Sequence, residues 1–119
     1  MITACSFIYN EKDSIKECLE NISSYVDQIL LVDMDSTDGT FEIAYDFTKN
    51  IYRKPHLPCG DQYKEFLAYN ARGDWLLWFY PDERFSQKFL SEMKKLSEDI
   101  ITAQTKEIEE MRQWLNEWK

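Results

Sequence analysis

Residues 28–40 read QILLVDMDSTDGT, a short apolar run that passes directly into a cluster of turn-forming residues. The run at residues 28–32 has the composition of a parallel strand buried on both faces, because large aliphatic residues follow one another without polar interruption. Aspartate, serine, threonine and glycine come next, and these residue types favour turns and the first positions of helices. The stretch therefore predicts a strand, a turn and a helix, in that order.

A strand and a helix are also predicted before this stretch. Residues 2–9, ITACSFIY, are rich in β-branched and aromatic residues, as is typical of a buried strand. Apolar residues then recur at helical spacing over residues 14–25, with Asp13 or Ser14 placed to cap the helix and Glu17 placed to close a capping box with Ser14. Two successive strand–helix units predict a parallel sheet with right-handed crossover connections.

The middle of the chain continues the alternation of strands and helices. A short strand and then a loop are predicted over residues 51–60, where His56 is expected to be an ordinary surface residue. Residues 61–72 predict a helix, and residues 75–80, WLLWFY, predict a strong strand with packed tryptophans. Pro81 ends that strand, because proline cannot donate a ladder hydrogen bond. We expect an α/β fold, a three-layer sandwich around a mainly parallel, Rossmann-like sheet.

The last part of the chain predicts a long helix. Residues 86–119 form a helical extension of the main region, residues 1–85, according to this prediction. The extension carries a 3,4 spacing at Ile101, Gln104, Ile108, Met111, Leu115 and Trp118. Two interpretations are open: one amphipathic helix that packs on its own sheet, or a coiled coil through which the chain associates with itself.

Composition excludes several classes of function. The chain carries a net charge of −8 over 119 residues, whereas binding to nucleic acid or to anionic membranes needs clustered lysine and arginine. No signal peptide and no apolar run of about 20 residues is visible. The three cysteines are odd in number and lack the spacing of a zinc site. We therefore expect a cytoplasmic protein with reduced thiols, without a transmembrane segment and without nucleic acid as a partner.

Polar side chains follow three of the predicted strands. They lie at residues 9–11, 33–35 and 82–83, and parallel strands would bring these positions to one edge of the sheet. An aromatic ring there can stack on a base, one carboxylate can accept hydrogen bonds from ribose, and another can hold Mg²⁺ or Mn²⁺ on a diphosphate. The arrangement suits a nucleoside diphosphate with its metal ion.

These segments, in this order, resemble family 2 glycosyltransferases of the GT-A fold. Residues 9–22 resemble the family's first strand end and helix, residues 32–40 its VD-x-x-STDGT turn, and residues 73–84 its strand and metal motif. The agreement extends over about residues 2–85 and implies the N-terminal, nucleotide-sugar-binding half of such an enzyme in truncated form. It also implies a nucleoside diphosphate sugar as donor, a hydroxyl acceptor, and Mg²⁺ or Mn²⁺ as cofactor.

The resemblance implies roles for individual residues. Tyr9 stands where an aromatic ring stacks on the base, Asp33 where an acidic residue holds the base or ribose, and Asp82 where a carboxylate binds the metal. Glu11 lies in the nucleotide-contacting loop, and Lys64 occupies a place from which it approaches phosphate. The implied nucleotide-sugar-binding set is Tyr9, Glu11, Asp33, Asp35, Lys64 and Tyr80. The alternative for the two aspartates of this set is that they only shape the turn.

Three positions depart from the family's pattern. Tyr80 stands where the metal motif usually begins with Asp, Met34 where a second Asp is common, and Glu65 where an Asn is common. The family's acceptor site and general base follow the metal motif, but only about 35 residues follow Asp82 here, so we assign no catalytic residue. Two functions are therefore open: a glycosyltransferase module, and a catalytically incomplete binding or assembly module with the same fold.

Overall fold

The computed structural model describes residues 1–98, and residues 99–119 lie outside the described part. The strands are β1 (Ile2–Ile8), β2 (Gln28–Asp33), β3 (Ile51–Arg53) and β4 (Trp75–Trp78). Within residues 1–98 they form one four-stranded sheet in the order β3-β2-β1-β4, and each neighbouring pair is parallel. The predicted α/β class with a parallel sheet is confirmed.

Helices occupy the connections between the strands. They are α1 (Ile15–Ile22), α2 (Thr40–Tyr45), a short 3₁₀ helix (Gly60–Tyr63), α3 (Lys64–Asn70) and α4, which covers residues 87–98. The single helix predicted over residues 61–72 is wrong in its first turn, which is 3₁₀. The predicted long terminal helix is described only as far as residue 98, and its predicted continuation and self-association lie outside the described residues. Among the residues described, no helix has both the length and the apolar composition needed to span a bilayer.

The two faces of the sheet are covered by different helices. On one face α1, α2 and α4 bury a cluster against β1 and β2 that includes Ala4, Ile8, Ile15, Leu19, Leu31, Ala44 and Leu90. On the other face α3 buries Leu67 against a second cluster with Cys5, Leu30, Val32 and Met34. Successive residues of β1 and β2 point to opposite clusters, as the two-residue period of a strand requires. The result is the predicted three-layer sandwich.

The start of α1 differs from the prediction. Ser14 is the N-cap residue, but its side chain makes no capping hydrogen bond within residues 1–98. The predicted capping box is wrong, because the Glu17 carboxylate instead lies 3.6 Å from Nη2 of Arg84. The same Nη2 atom donates a hydrogen bond to the Ser14 carbonyl oxygen at 2.9 Å. The first turn of α1 is therefore fastened to the loop that follows β4.

β4 is shorter and more exposed than expected. The predicted strand 75–80 ends at Trp78, because the Tyr80 N–H donates to Oε1 of Glu83 at 3.1 Å rather than to a neighbouring strand. Trp75 and Trp78 are 40% and 37% exposed. In the described part of the chain β4 is an edge strand, with β1 as its neighbour.

The strand order places the candidate site. β1 lies between β2 and β4. β2 and then β3 lie on one side of β1, and β4 lies on the other side, so the direction in which strands are added reverses at β1. Ligands of open parallel sheets bind beyond the carboxyl ends of the strands at such a reversal. The loops that follow β1, β2 and β4 therefore flank the expected binding crevice.

The opposite, amino-terminal edge of the sheet is held by a buried polar network. The Thr3 hydroxyl donates to Oε1 of Gln28 at 2.9 Å and accepts from the Gly73 N–H at 2.8 Å. The same Gln28 oxygen accepts from the Arg72 N–H at 2.9 Å. Both Thr3 and Gln28 are buried, so these bonds fix the turn between α3 and β4 against the two central strands.

We expect Gly73→Ala to lower the free energy of unfolding by about 2 kcal/mol. A Cβ atom at this position would lie 2.6 Å from Thr3 Oγ1 and 2.7 Å from Thr3 N. The backbone of β1 cannot shift to relieve these contacts without disturbing its pairing with the neighbouring strands. Urea denaturation measures the loss. Asp74→Ala, at a side chain 71% exposed, is the control and should change stability by less than about 0.5 kcal/mol. Equal losses in the two variants would contradict the close approach as the cause.

Candidate functional site

Two loops at the carboxyl edge of the sheet are joined by hydrogen bonds. The Asn10 N–H donates to Ser36 Oγ at 2.9 Å, and the Thr37 N–H donates back to Asn10 Oδ1 at 2.8 Å. The Glu11 N–H donates to Thr40 Oγ1 at 2.8 Å. The loop after β1 and the turn after β2 therefore form one unit, although about 26 residues separate them in sequence.

The turn after β2 depends on left-handed backbone conformations. Asp35 has a φ of 55° and Gly39 a φ of 98°, and Asn10 in the facing loop has a φ of 49°. Asparagine, aspartate and glycine are the residues that adopt this region most readily. Asp35 is exposed at the surface of the turn, so its predicted contact with a nucleotide sugar stays a prediction.

Asp33 is the most unusual side chain of the site. Its carboxylate is completely buried at the end of β2. Oδ2 accepts from the Ser36 N–H at 3.0 Å and lies 3.7 Å from Nε of Arg53. Oδ1 is also buried, and it has no hydrogen-bond partner within residues 1–98. A buried acceptor without a partner costs on the order of 1–3 kcal/mol, more when the group is charged, so a ligand donor at this position would be strongly favoured.

Arg53 places a cation beside this carboxylate. The position of Arg53 follows from the strand register, because Asp33 on β2 and Arg53 on β3 are paired residues. The guanidinium carbon lies 4.4 Å from the centroid of the Phe41 ring, and the side chain is 48% exposed. The site thus offers a partly exposed cation and an aromatic face next to Asp33. Sequence analysis did not identify Arg53, although its place at the end of a third parallel strand was a usable signal.

Tyr9, the predicted stacking residue, lies at the end of β1 and already has an aromatic neighbour. Its ring centroid is 3.9 Å from that of His56, at an interplanar angle of 33°. His56 was expected to be an ordinary surface residue; it is exposed, but it belongs to this cluster. One face of Tyr9 is therefore covered by His56, and a base can stack on the face or edge that stays accessible.

Carboxylates in the loops after β1, β2 and β4 influence one another electrostatically. Burial raises the pKa of Glu11, and the negative charges of Asp82 and Asp38 raise it further. Burial also acts to raise the pKa of Asp38, but hydrogen bonds from the hydroxyl and the N–H of Thr40 and from the Lys12 N–H outweigh it, so that pKa is lowered. The charge of Asp82, the predicted metal ligand, is thus felt in the loop after β1.

Asp82 is presented by a tightly bonded loop. Arg84 donates from Nη1 to the Pro81 carbonyl oxygen at 2.8 Å. Asn21 of α1 donates from Nδ2 to the Phe85 carbonyl oxygen at 3.0 Å and accepts from the Phe85 N–H at 2.9 Å. These bonds leave the Asp82 side chain exposed. The loop is thus held by the start of α1, through Arg84, and by the side chain of Asn21.

Tyr80 and Lys64 lie beside the end of β4. The Tyr80 ring meets Phe7 edge-on, with centroids 6.1 Å apart. Lys64 Nζ lies 3.3 Å from an Asp61 carboxylate oxygen and 5.9 Å from the centroid of the Trp78 ring. The predicted residues therefore fall into two groups, one at the ends of β1 and β2 and one at the end of β4.

Cys18 lies beneath the loop that carries Asp82. Its Sγ atom is 3.7 Å from the Tyr80 carbonyl oxygen. Burial raises the pKa of this thiol to about 11; the positive charge of Arg84 lowers it, and the carboxylates of Glu83, Asp82 and Glu11 raise it. The thiol is therefore protonated at neutral pH and serves as packing rather than as a nucleophile.

The donor set fits a divalent cation that arrives with a phosphate ligand. Within residues 1–98 no three His, Cys, Asp or Glu side chains are grouped closely enough to hold a metal by themselves. Magnesium commonly takes one or two carboxylates and completes its shell with water and substrate phosphates. Asp82, which is exposed in the loop after β4, would supply one such carboxylate.

Comparisons of the sequence with known proteins point to one family. The sequence model of the family described as "Glycosyl transferase family 2" matches residues 3–115. Proteins named as uncharacterized glycosyltransferases are similar in sequence: one from Rickettsia felis is 30% identical over 93 residues, which are 78% of this chain and 32% of that protein. One from Rickettsia bellii is 29% identical over 93 residues, covering 78% and 31%. One from Rickettsia typhi is 31% identical over 85 residues, covering 71% and 29%. The chain spans about a third of the length of these curated relatives.

We expect Thr40→Val to loosen the two joined loops. The substitution keeps the shape but removes the acceptor of the Glu11 N–H and the donor to Asp38. The free energy of unfolding should fall by about 1–3 kcal/mol, and the Glu11 amide should exchange with solvent faster. Native-state hydrogen exchange and urea denaturation measure the two effects.

The matched control is Thr48→Val. Thr48 is also buried, and its hydroxyl donates to the Ile29 carbonyl oxygen at 2.7 Å and accepts from the Asn50 N–H at 3.0 Å, away from the joined loops. It should destabilise the protein similarly without a selective change at Glu11. A selective acceleration at Glu11 in both variants would contradict the role of Thr40.

We expect Glu11→Gln to raise the Tm at pH 7 by on the order of 1–2 °C. The pKa of Glu11 is raised in the folded state, so ionisation of Glu11 opposes folding. This destabilisation grows as the pH rises from the unfolded pKa to the folded pKa and is complete above the folded pKa. Below the unfolded pKa of about 4.3 the side chain is neutral in both states, and the difference should vanish. Thermal melts from pH 4 to pH 7 test this. A gain of equal size for Glu20→Gln, at an exposed position of α1, would show that only the net charge matters.

Proposed function

Because this chain belongs to glycosyl transferase family 2, we propose that it binds a nucleoside diphosphate sugar at the carboxyl edge of its sheet. The bound donor carries Mg²⁺ or Mn²⁺ on its diphosphate, and the sugar is transferred to a hydroxyl acceptor. The matched relatives are about three times as long, so the whole reaction is a proposal for this chain rather than a property transferred from them.

The observation that carries the proposal is the unpartnered oxygen of Asp33. Oδ1 is buried, acidic and without a hydrogen-bond partner among the described residues. An N–H group of a base or a hydroxyl group of a ribose would supply the donor that this oxygen needs, and the atoms that now cover the 0% exposed side chain move aside to admit it. Burial strengthens such a charge-assisted bond and makes a mismatched group costly, so Asp33 selects as well as binds.

The neighbouring side chains provide the rest of a nucleotide site. Tyr9, held by His56, offers an aromatic surface for the base. Arg53 compensates the charge of Asp33. Asp82 lies on the β4 side of the crevice, where the predicted metal would sit, and Lys64 lies near the end of the same strand. The base and ribose therefore lie toward β2, and the diphosphate lies toward β4.

Transfer moves the anomeric carbon from one oxygen to another. The acceptor hydroxyl oxygen forms a bond to that carbon, the bond from the carbon to the diphosphate oxygen breaks, and a base takes the hydroxyl proton. A bound cation would offset the negative charge that develops on the departing diphosphate. Residues 1–98 supply the donor side of this reaction: they bind the nucleotide, orient its diphosphate and place Asp82 beside it.

A catalytically incomplete binding or assembly module is the second candidate. The observation that favours it is the loop after β4, where Tyr80 replaces an acidic residue and the Glu83 side chain is engaged with the Tyr80 N–H. The metal end of the site then has fewer free carboxylates than the family pattern supplies. This candidate keeps nucleotide binding or the fold alone, without turnover.

We also propose that the chain works in the cytoplasm. Its three cysteines are unpaired: Cys5 and Cys18 are buried, and Cys59 is exposed. Unpaired thiols suit a reducing compartment.

We expect the protein to bind UDP or GDP in a metal-dependent manner in isothermal titration calorimetry. Asp33→Asn should weaken binding by on the order of tenfold or more, because the amide puts a donor or a neutral acceptor where an ionised acceptor is needed. Asp82→Ala should remove the dependence on Mn²⁺. Asp46→Asn removes one negative charge at an exposed position after α2 and should bind like the unchanged protein.

Three outcomes separate the candidates. Metal-dependent binding that is lost in the Asp33 and Asp82 variants supports the donor site, and transfer or hydrolysis of a nucleotide sugar then distinguishes an enzyme from a binding module. Binding that is equally weak in all three variants contradicts the assignment of specific residues. No binding of UDP or GDP by the unchanged protein contradicts the donor-site proposal itself.

A further inference from the structure

His56 packs on the aromatic ring that is predicted to stack on the base. The ring centroids of His56 and Tyr9 are 3.9 Å apart, and the two ring planes meet at 33°. At this separation the imidazole covers one face of the Tyr9 ring. Tyr9 is nevertheless 37% exposed, so ring surface that His56 does not cover stays open to a ligand.

The loop that carries His56 is fixed at its start. The Lys54 N–H donates to the Asp33 carbonyl oxygen at 2.9 Å, which ties the loop to the end of β2. The Tyr63 hydroxyl donates to the Pro55 carbonyl oxygen at 2.5 Å, which ties it to the 3₁₀ helix. These two bonds hold the backbone directly before His56.

The end of the same loop is packed on β1. Gly60 is buried, and a Cβ atom there would lie 2.1 Å from Cδ2 of Phe7. Pro58 lies between this contact and His56, and its ring fixes the backbone φ at that point. Phe7 precedes Tyr9 by two residues, so the loop follows the end of β1 and is held on both sides of the imidazole.

We propose that His56 is a positioning residue for the base of the donor nucleotide, an inference that rests on the proposed donor site. His56 supports one face of the Tyr9 ring, and the base stacks on the other, so that three rings form one stack. A tyrosine with no neighbour on its ring turns about its side-chain torsions. The imidazole removes this freedom before the nucleotide arrives, which lowers the entropic cost of binding.

The anchored loop favours support of Tyr9 by His56 over competition with the base. A base that took the place of the imidazole would have to push the loop away from β1. That movement would strain or break the bonds of Lys54 and Tyr63 and the contact of Gly60 with Phe7. A base that adds to the open surface of Tyr9 leaves all of these contacts in place.

Isothermal titration calorimetry of the full chain with UDP and with GDP, in the presence of Mg²⁺, tests the proposal. We expect His56→Ala to weaken binding of the preferred nucleotide about three- to tenfold, and His56→Phe to restore most of the affinity, because a phenyl ring also stacks on tyrosine. Magnesium pyrophosphate carries no base and should bind equally well to all three proteins. This second ligand separates a role at the base from general damage to the site.

Tyr45→Ala is the matched control. It also removes an exposed ring that is stacked on another aromatic ring, that of Phe41, with centroids 5.9 Å apart. Tyr45 is the last residue of α2, and its loss should leave nucleotide affinity unchanged. A loss equal to that of His56→Ala would overturn the proposal, because the removal of any exposed ring would then have the same effect. Circular dichroism confirms that each variant is folded.

Proton NMR reports on the stack itself. His56 is the only histidine of the chain, so its Hε1 signal is identified without further assignment. We expect the ring current of Tyr9 to shift this signal, and the shift to disappear in Tyr9→Leu. The shift should persist when the nucleotide is bound, because the base adds to the other face of Tyr9.

Three results would overturn the proposal. Tighter nucleotide binding in His56→Ala, or loss of the ring-current shift on binding, would show that His56 competes with the base. Equal affinity of His56→Ala and the unchanged protein would show that His56 does not position the base, while the donor site itself would stand. No binding of UDP or GDP by the unchanged protein would overturn this inference and the donor site together.

Discussion

The rest of the structure depends on the pairing of β1 with a parallel strand on each side. This pairing satisfies the backbone of β1 in both directions and buries its side chains on both faces, with Ala4 and Ile8 in one cluster and Cys5 in the other. A shift by one residue would exchange these sets, so the register is strongly specified. Parallel neighbours also require crossover helices on the faces, and they bring the loops after β1, β2 and β4 to one edge. The candidate site is a direct consequence of that geometry.

The sequence predicted the fold well where a pattern is local. Aliphatic runs and helical spacing identified β1, β2 and α1, because those elements bury their apolar residues in the way that the period indicates. The capping box at Glu17 was wrong, since a tertiary partner, Arg84, pairs with the Glu17 carboxylate, and the Ser14 N–H donates to the Glu11 carbonyl oxygen instead. The predicted end of β4 was also wrong, because the side chain of Glu83, three residues after Tyr80, accepts a hydrogen bond from the Tyr80 N–H. Neither competitor can be recognised from local periodicity.

The site was predictable only in part for the same reason. The loops after the first two strands carry recognisable sequences, and the structure brings their residues together as expected. Arg53 was missed and His56 was taken for an ordinary surface residue, because their partners Asp33 and Tyr9 lie on other segments and meet them only in the folded chain. The buried state of Asp33, and its one oxygen without a partner among the described residues, is likewise a property of the folded chain. Sequence analysis located the edge of the sheet, and the fold decided which side chains face one another there.

The attachment of the loop after β4 to α1 has a thermodynamic consequence. Arg84 bonds to the Ser14 carbonyl oxygen, and Asn21 bonds to both backbone groups of Phe85. A ligand that orders this loop therefore also stabilises α1. By linkage, a substitution that frays α1 lowers the affinity for that ligand. The helix acts as a reporter of occupancy at a site that it does not touch. Substitutions in α1 can accordingly raise or lower the affinity for the ligand while every binding residue stays in place.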